Sequence, residues 1–187
     1  GLAARQVLLW KDVPGFLTAD PKVVSDARVI PQLNAREAAE LAYYGAKVLQ
    51  PRALIPVGRR FPVFVRSFTH ADRPGTEISS RRTLTRYPVK ALSAISGQAL
   101  LTVAGNGMLG VPGIAARTFG ALHGEGISVS LISQASSEHS ICFAIPQIEA
   151  EKAERIVRHA FATELARGQV QKVEVSPACS ILSVVGD

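Results

Sequence analysis

The sequence predicts two folded parts: an α/β part at the beginning of the chain and an α+β part of the ferredoxin-like type after it. Segments with strand and helix periodicity follow one another in the order β-α-β-β-α-β between residues 99 and 175, which is the ferredoxin-like pattern. Before them, short apolar strands flank one capped helix, and a basic, polar stretch separates the two parts.

The α/β part is predicted from three elements. Residues 7–10 (VLLW) form a strand that ends in a loop with two prolines, a glycine and two aspartates. Asn34 begins a helix, because Glu37 stands three residues later at the spacing of a capping box. Residues 62–68 (PVFVRSF) alternate as a strand does, and residues 70–80 are predicted to form a loop.

The ferredoxin-like part has six predicted elements. Strands are expected at 99–104, 127–132, 140–145 and 170–175, and helices at 114–123 and 149–165. Residues 180–186 (SILSVVG) repeat the pattern of residues 99–105 (ALLTVAG), so we expect a second such unit to begin there and the chain to end inside it. The predicted regions are 1–78 for the α/β part, 79–97 for a linker and leading strand, 98–176 for the ferredoxin-like unit, and 177–187 for the start of the second unit.

The composition argues against two classes of partner, membranes and nucleic acids. Apolar residues make up 47% of the chain, yet no apolar run approaches the roughly 18 residues that span a bilayer, so we expect no membrane partner. The net charge is +6, but the basic residues cluster at 59–60, 66 and 81–90, and the last of these clusters lies in a connector with one aromatic residue, Tyr87. This arrangement favours a solvated linker over a nucleic acid surface.

Residues that commonly bind metals are isolated in the sequence. Cys142 and Cys179 lie in apolar runs without Cys/His spacing, as expected of buried free thiols in a reducing cytoplasm. His139 lies in a polar turn, and His123 and His159 belong to different predicted helices. We therefore predict no metal site and interpret His139 as a surface turn residue.

Residues 105–110 (GNGMLG) match the GxGxxG pattern of dinucleotide-binding loops, and they lie between a predicted strand and a predicted helix. That fold needs an acidic residue at the end of the next strand to hold the ribose, whereas this strand ends in Ser133 and Gln134. The chain also returns through a short turn, as an antiparallel hairpin, where a dinucleotide fold needs a crossover helix. We therefore predict no nicotinamide site.

The same loop suits the carboxylate of a free amino acid, because its backbone N–H groups lie at a helix N-terminus. Short polar side chains at the tip of the predicted hairpin can bond an ammonium or hydroxyl group. The alternative is an ordinary glycine-rich turn beside a solvated hairpin tip, and spacing alone does not separate the two. The candidate effector-binding residues are Met108, Gly110, Ser133, Gln134 and Ser136.

Two long runs resemble a known family. Residues 10–33 (WKDVPGFLTADPKVVSDARVIPQL), followed by EAAELAYYGAKVLQPR and PGTEIS, resemble the end of the amino-acid kinase domain of aspartate kinases. Residues 111–147 (VPGIAARTFGALHGEGISVSLISQASSEHSICFAIPQ) resemble the first ACT unit of that family, particularly of the type fused to homoserine dehydrogenase. The resemblance covers nearly the whole chain and implies a kinase-domain end, one ACT unit and the first strand of a second.

The resemblance also implies a nucleotide site. In the family a Trp-Thr-Asp-Val loop and an Ala-Lys-Val turn line the nucleotide, so Asp12 would hold polar groups of ATP and Lys47 would lie near it. The candidate ATP-binding residues are Lys11, Asp12, Lys22 and Lys47. The chain departs from the family pattern at Lys11 for threonine, Leu17 for tyrosine, Lys22 for arginine and Gln50 for histidine. These departures bear on the affinity for nucleotide, since lysine lacks the bidentate fork of arginine.

The implied activity is ATP-dependent phosphorylation of L-aspartate to 4-phospho-L-aspartate, the first step of lysine, threonine and methionine biosynthesis. Mg²⁺ is expected with ATP, no tightly bound cofactor is expected, and threonine or lysine would be the feedback effector. A cytoplasmic homo-oligomer that pairs through its ACT units is implied. The lysine and glycine phosphate segments of the family are absent from this chain, so we expect it to contain no catalytic residues. A non-catalytic amino-acid-sensing module and another amino-acid kinase, such as a glutamate kinase, are the alternatives.

Overall fold

The structure, a computed structural model, describes residues 4–46, 48–50, 61–80, 88–108, 113–134 and 139–186. The described residues form two compact units, one from Gly1–Ile95 together with Leu182–Asp187 and the other from Ser96–Ile181. Two long strands, Val89–Ala104 and Lys172–Gly186, each contribute residues to both units. The predicted limits of the four sequence regions stay predictions.

The first unit contains a four-stranded mixed sheet with the order β1-β3-β4-β2. Its strands are β1 (Val7–Lys11), β2 (Gln32–Asn34), β3 (Val63–Ser67) and β4 (Thr76–Ser79). β1 is parallel to β3, β3 is antiparallel to β4, and β4 is parallel to β2. The first and third strands confirm the two strands predicted in this part of the chain.

Helix α1 (Ala35–Tyr43) begins at the predicted capping box. The Asn34 side-chain oxygen accepts the N–H of Glu37 at 2.9 Å, and the Glu37 carboxylate accepts the N–H of Asn34 at 2.9 Å. Both halves of the motif therefore satisfy backbone donors at the helix start. The apolar face of the helix packs into a core of buried residues, namely Phe16, Ile30, Leu33, Ala38, Leu41, Val63, Val65, Ile78, Ala91 and Val185.

The connection from β1 to β2 is a folded-back loop held to the sheet at its base. Phe16 is fully buried, and its N–H donates to the Thr76 hydroxyl at 2.9 Å. Further out, the Thr18 N–H donates to the Arg28 carbonyl at 2.8 Å and holds the two arms of the loop together. Gly15 has a φ of 146°, and a side-chain carbon there would lie 2.5 Å from the Thr76 hydroxyl, so this position requires glycine.

The second unit confirms the predicted ferredoxin-like order. Its sheet has the order β6-β7-β5-β8. The strands are β5 (Val89–Ala104), β6 (Leu131–Gln134), β7 (Ser140–Pro146) and β8 (Lys172–Gly186), and the helices are α2 (Ile114–Gly124), α3 (Ala150–Ala160) and α4 (Ala162–Ala166). β7 is antiparallel to both β5 and β6, which confirms the predicted hairpin.

One face of this sheet forms the core of the second unit with the helices. The core residues of β5 and β7 are every second residue, as expected when alternate side chains face the same side of a sheet. These residues pack against the buried faces of α2 and α3. The core includes Ala99, Leu101, Val103, Ile114, Leu122, Ile141, Phe143, Ile145, Ala153, Val157, Phe161 and Val173.

Several elements differ from the predictions. β2 was not predicted, and β5 begins at Val89 instead of 99. The loop predicted at 70–80 is wrong for β4, because β4 pairs with the preceding strand β3 on one side and with β2, which is remote in sequence, on the other. β6 begins at Leu131 instead of 127. The helix predicted at 149–165 is interrupted at Phe161, which has a φ of −112° and a fully buried side chain. β8 joins the two strands predicted near the end of the chain, and Ala178 adopts a φ of 58° within it.

Candidate functional site

Two candidate ATP-binding residues lie at the carboxyl edge of the first unit's sheet. Lys11 is the last residue of β1 and stands opposite Ser67, the last residue of the parallel strand β3. Asp12 follows directly and is exposed, whereas Lys11 is partly buried. Open α/β sheets bind ligands beyond the carboxyl ends of parallel strands, so Lys11 and Asp12 occupy a position suited to a nucleotide.

Lys22 lies further away, at the tip of the folded-back loop. Its side chain is exposed, and its backbone N–H donates to the Asp20 carboxylate at 2.9 Å. Asp20 therefore shapes the turn, as aspartate commonly does through its own backbone neighbours. No hydrogen bond or ion pair joins Lys22 to Lys11 or Asp12 in the described part of the chain. Lys47 lies outside the described residues.

A chain of hydrogen-bonded polar groups that the sequence did not predict lies at the end of β3. The Ser67 and Thr69 hydroxyl oxygens are 2.7 Å apart, and the Thr69 hydroxyl oxygen is 3.0 Å from Nδ1 of His70. The chain stays close to β1 here, because the Phe68 N–H donates to the Lys11 carbonyl at 2.9 Å. Hydroxyl and imidazole groups hydrogen-bond phosphates and sugars. The available signal in the sequence is that hydroxyl and imidazole residues follow one another at the end of the predicted strand 62–68 and the start of the predicted loop 70–80.

The second candidate site lies at one end of the second unit's sheet. β5 and β6 both run antiparallel to the strand between them, so their carboxyl ends, Ala104 and Gln134, lie at the same end of the sheet. Val103, Ile141 and Gln134 occupy one row across the three strands. Strands are spaced by about 4.8 Å, so this row places Gln134 about 10 Å from Val103. A free amino acid is small enough to lie between groups at this separation.

The glycines of the GxG segment are required by packing. A side-chain carbon on Gly105 would lie 2.2 Å from the Gln169 carbonyl oxygen, and one on Gly107 would lie 2.6 Å from the Gln169 Cα. The N–H groups of this segment are also occupied. Gly105 donates to His139, Gly107 to Gln169 and Met108 to Gly105, at 3.0 to 3.1 Å. Among the described residues, the first turn of α2 offers further N–H donors, and its N-cap is Gly113, which has no side chain to accept them.

The candidate effector-binding residues do not share one face of the sheet. Gln134 stands opposite Ile141, whose side chain is in the core, so Gln134 lies on the helix side. Ser133 stands opposite Cys142 and lies on the other side. Met108 is 3% exposed and packs in the core, which puts it on the Gln134 side. Gly110 and Ser136 lie outside the described residues.

His139 was interpreted as a surface turn residue, but it is partly buried. Its carbonyl accepts the Gly105 N–H at 3.0 Å, so it lies between the ends of β5 and β6. Its Nδ1 is buried, and no hydrogen-bond partner for this atom occurs among the described residues. Sequence spacing gave no indication of this placement, because it depends on the strand order.

A charged contact joins two helices of the second unit. The Arg117 guanidinium lies 2.7 Å from the Glu164 carboxylate and 4.2 Å from the centre of the Phe161 ring. The hydrogen bond from Arg117 lowers the pKa of the Glu164 carboxyl below its usual value of 4.5. Arg117 therefore links α2, whose first turn is the candidate carboxylate site, to α4.

A separate shallow cavity of about 370 Å³ lies beside α3 and β8. Its charged groups already have partners within the unit. Arg158 bonds Glu154 at 2.8 Å and the Val173 carbonyl at 2.5 Å, and Lys172 pairs with Glu174. β8 is the opposite edge of the sheet from β6, so this cavity is not part of the candidate effector site.

Among the described residues, no group of three or more histidine, cysteine, aspartate or glutamate side chains stands together in a way that could hold a metal ion. None of the helices in those residues has the length and apolar character needed to cross a bilayer.

Comparison with known proteins identifies both parts of the chain. Residues 1–67 match the amino acid kinase family, and residues 101–161 match the ACT domain. A bifunctional aspartokinase/homoserine dehydrogenase 2, chloroplastic, from Arabidopsis thaliana is 43% identical over 191 residues, covering 99% of this chain. The chain spans 21% of that relative's own length.

Solved structures agree with this assignment. The crystal structure of E. coli aspartokinase III in complex with lysine and aspartate matches 98% of this chain and 40% of its own, with a TM-score of 0.76 and 34% identity. The same enzyme in complex with aspartate and ADP gives a TM-score of 0.74 and 33% identity over 98% of this chain and 40% of its own.

The chain therefore contains a part of the amino acid kinase class followed by an ACT domain. More narrowly, the chain belongs to the aspartate kinase family, as a segment that includes the end of the kinase domain and an ACT domain.

Proposed function

We propose that the complete protein with this chain is an aspartate kinase. It would transfer the γ-phosphoryl group of ATP to a side-chain carboxylate oxygen of L-aspartate, giving 4-phospho-L-aspartate and ADP. The main support is that a single aspartokinase relative matches the kinase part and the ACT part together, over 99% of the chain. The aspartate and ADP bound by the E. coli relative further support this activity.

The residues of this chain would bind and orient the nucleotide. Phosphoryl transfer depends on positioning and on stabilising charge around the phosphates, which are tasks for cations and hydrogen-bond donors. Lys11 offers a cation at the carboxyl edge of the sheet, and Asp12 and the Ser67 hydroxyl offer polar contacts beside it. Mg²⁺ would enter with ATP as part of the substrate, held mainly by phosphate oxygens and water.

The ACT part would regulate this activity by binding a free amino acid. We propose that the first turn of α2 holds the effector carboxylate and that Gln134 holds a second polar group at the same end of the sheet. The effector is threonine or lysine. The lysine bound by E. coli aspartokinase III supports an amino-acid effector of this class.

We further propose that the protein is a cytoplasmic homo-oligomer. β6 is an edge strand with Leu131 and Ile132 exposed to 42% and 53%, and such edges are normally covered. The two free cysteines suit a reducing compartment.

Turnover of the purified full-length protein tests the proposal. ADP release is measured with ATP and Mg²⁺ in the presence of aspartate, with glutamate in place of aspartate as the control. Aspartate-dependent release supports the proposal, and glutamate-dependent release would show a different amino-acid kinase. Titration calorimetry with threonine and with lysine then identifies the effector. Binding of an amino acid without any turnover would show a sensing module instead of an enzyme.

A further inference from the structure

The beginning of β5 contacts the elements of the first unit that lead to the candidate ATP-binding residues. We call residues 90–93 the docking segment. Its Leu92 N–H donates to the Thr18 carbonyl at 2.9 Å, in the folded-back loop whose tip carries Lys22. Its Ala91 is 2% exposed and belongs to the core of the first unit.

The docking segment also holds the N-terminal end of α1. The Lys90 ammonium lies 2.6 Å and 2.9 Å from the two carboxylate oxygens of Glu37, and both side chains are 3% exposed. Glu37 is the same residue that completes the capping box with Asn34. The ion pair therefore fixes the helix start to β5 in a position shielded from water.

The other end of α1 is held by the same segment. The Ser93 hydroxyl donates to the Tyr44 carbonyl at 2.5 Å, directly after the last helical residue. Gly45 follows with a φ of 120°, and a side-chain carbon there would lie 2.5 Å from the Ala94 carbonyl oxygen. The backbone of β5 and the end of α1 are thus in close approach, two residues before Lys47 in the sequence.

We propose that Lys90 and Ser93 are positioning residues of the ATP site. They anchor the docking segment to the two ends of α1, and the Leu92 N–H of the same segment holds the folded-back loop after β1 at Thr18. This inference rests on the proposed function, in which the loop after β1 binds the nucleotide. The residues lie in the strand that follows the kinase part, so sequence motifs of the nucleotide site do not include them.

The test is Ser93→Ala in the full-length protein. Binding of a non-hydrolysable ATP analogue with Mg²⁺ is measured by calorimetry, and KM is measured for ATP and for aspartate. Loss of one positioning hydrogen bond should raise the Kd of the analogue and the KM for ATP by about 2- to 10-fold. The KM for aspartate should stay within about 1.5-fold, because a purely structural loss would not separate the two substrates.

Thr102→Val is the matched control. Thr102 is also a partly buried hydroxyl residue of β5, but its hydroxyl lies 3.4 Å from the Cys142 sulfur in the second unit. This variant should bind the analogue as the parent does. The double variant Glu37→Gln with Lys90→Met removes both buried charges and should weaken binding in the same direction as Ser93→Ala.

Several outcomes would overturn the inference. One is a Ser93→Ala variant whose Kd for the analogue stays within about 1.5-fold of the parent, and another is an equal rise of both KM values. A double variant that folds and keeps the parental Kd also contradicts it. A parent that binds the analogue but does not phosphorylate aspartate refutes the proposed function while the positioning test still stands. A parent that binds no nucleotide refutes both.

Discussion

The buried ion pair between Lys90 and Glu37 leads to a quantitative stability prediction. Lys90→Met keeps much of the apolar side chain but leaves the Glu37 carboxylate buried without this cation. Removing one partner of a buried pair costs about 3–5 kcal/mol, because the other charge stays away from water. That is a large part of the roughly 5–15 kcal/mol that stabilise a domain.

The double variant Lys90→Met with Glu37→Gln distinguishes the effect of the buried charge on stability from the effect of packing. Adding Glu37→Gln removes the second charge, while the amide oxygen can still accept the Asn34 N–H that the carboxylate accepts at 2.9 Å. Replacing both members of a buried ion pair by neutral groups is often close to neutral in stability. We therefore expect the double variant to be at least about 1–2 kcal/mol more stable than Lys90→Met alone.

Hydrogen exchange of the α1 amides in the full-length protein measures this loss of stability in the helix that contains Glu37. A local measurement is needed because a multidomain protein does not unfold in one step. Arg36→Ala is the control in the same helix, since the Arg36–Glu40 pair has side chains 89% and 40% exposed and should change stability by under about 0.5 kcal/mol. If the double variant proves as unstable as Lys90→Met, the loss comes from packing, and the argument from buried charge is refuted.

Four further predictions follow from the two candidate sites and the helix contact. Gln134→Ala should raise the half-inhibitory threonine concentration about 5- to 150-fold with uninhibited turnover nearly unchanged, and Ser133→Ala on the opposite face is the control; a shift below about twofold excludes a ligand contact. Asp12→Ala should raise the KM for ATP much more than that for aspartate, whereas equal losses would indicate a turn-forming role. The folded pKa of Glu164 is lowered, so its stabilisation is present above the unfolded pKa and is lost as pH falls through the folded value. The melting temperatures of the parent and Glu164→Gln should therefore converge below pH 4.5, and a constant difference would contradict this. Sedimentation of the full-length protein should show a dimer or larger oligomer that pairs through residues 98–176, and a strict monomer at micromolar concentration counts against it.

The sequence was sufficient to predict an element where the interactions that determine this element are local. The start of α1 was predicted because Asn34 and Glu37 bond each other's backbone across three residues. The β6–β7 hairpin was predicted because two apolar runs flank a short polar turn. The ferredoxin-like order follows from such local periodicities taken in sequence.

The sequence was insufficient to predict an element or the face of a side chain where contacts between remote segments determine it. β4 has a polar composition that suits a loop, yet it pairs with β3 on one side and β2 on the other. The interruption at Phe161 has no glycine or proline to indicate it, and the buried ring is covered by Arg117 from another helix. The opposite faces of Ser133 and Gln134 depend on the register with β7, since a shift by one residue would exchange them.

The glycine-rich loop after β5 shows why a motif needs the structure around it. The pattern fits a ligand-binding loop, but Gly105 and Gly107 are required because the chain at Gln169 passes within contact distance of both. Their N–H groups donate to His139 and Gln169, so they are not available to an effector carboxylate. The first turn of α2 begins at Gly113, which has no side chain to cap it, so its N–H groups are the described donors that fit the proposed carboxylate site. Gln134 lies on the same helix side of the sheet, as the proposal that it holds a second polar group of the ligand requires.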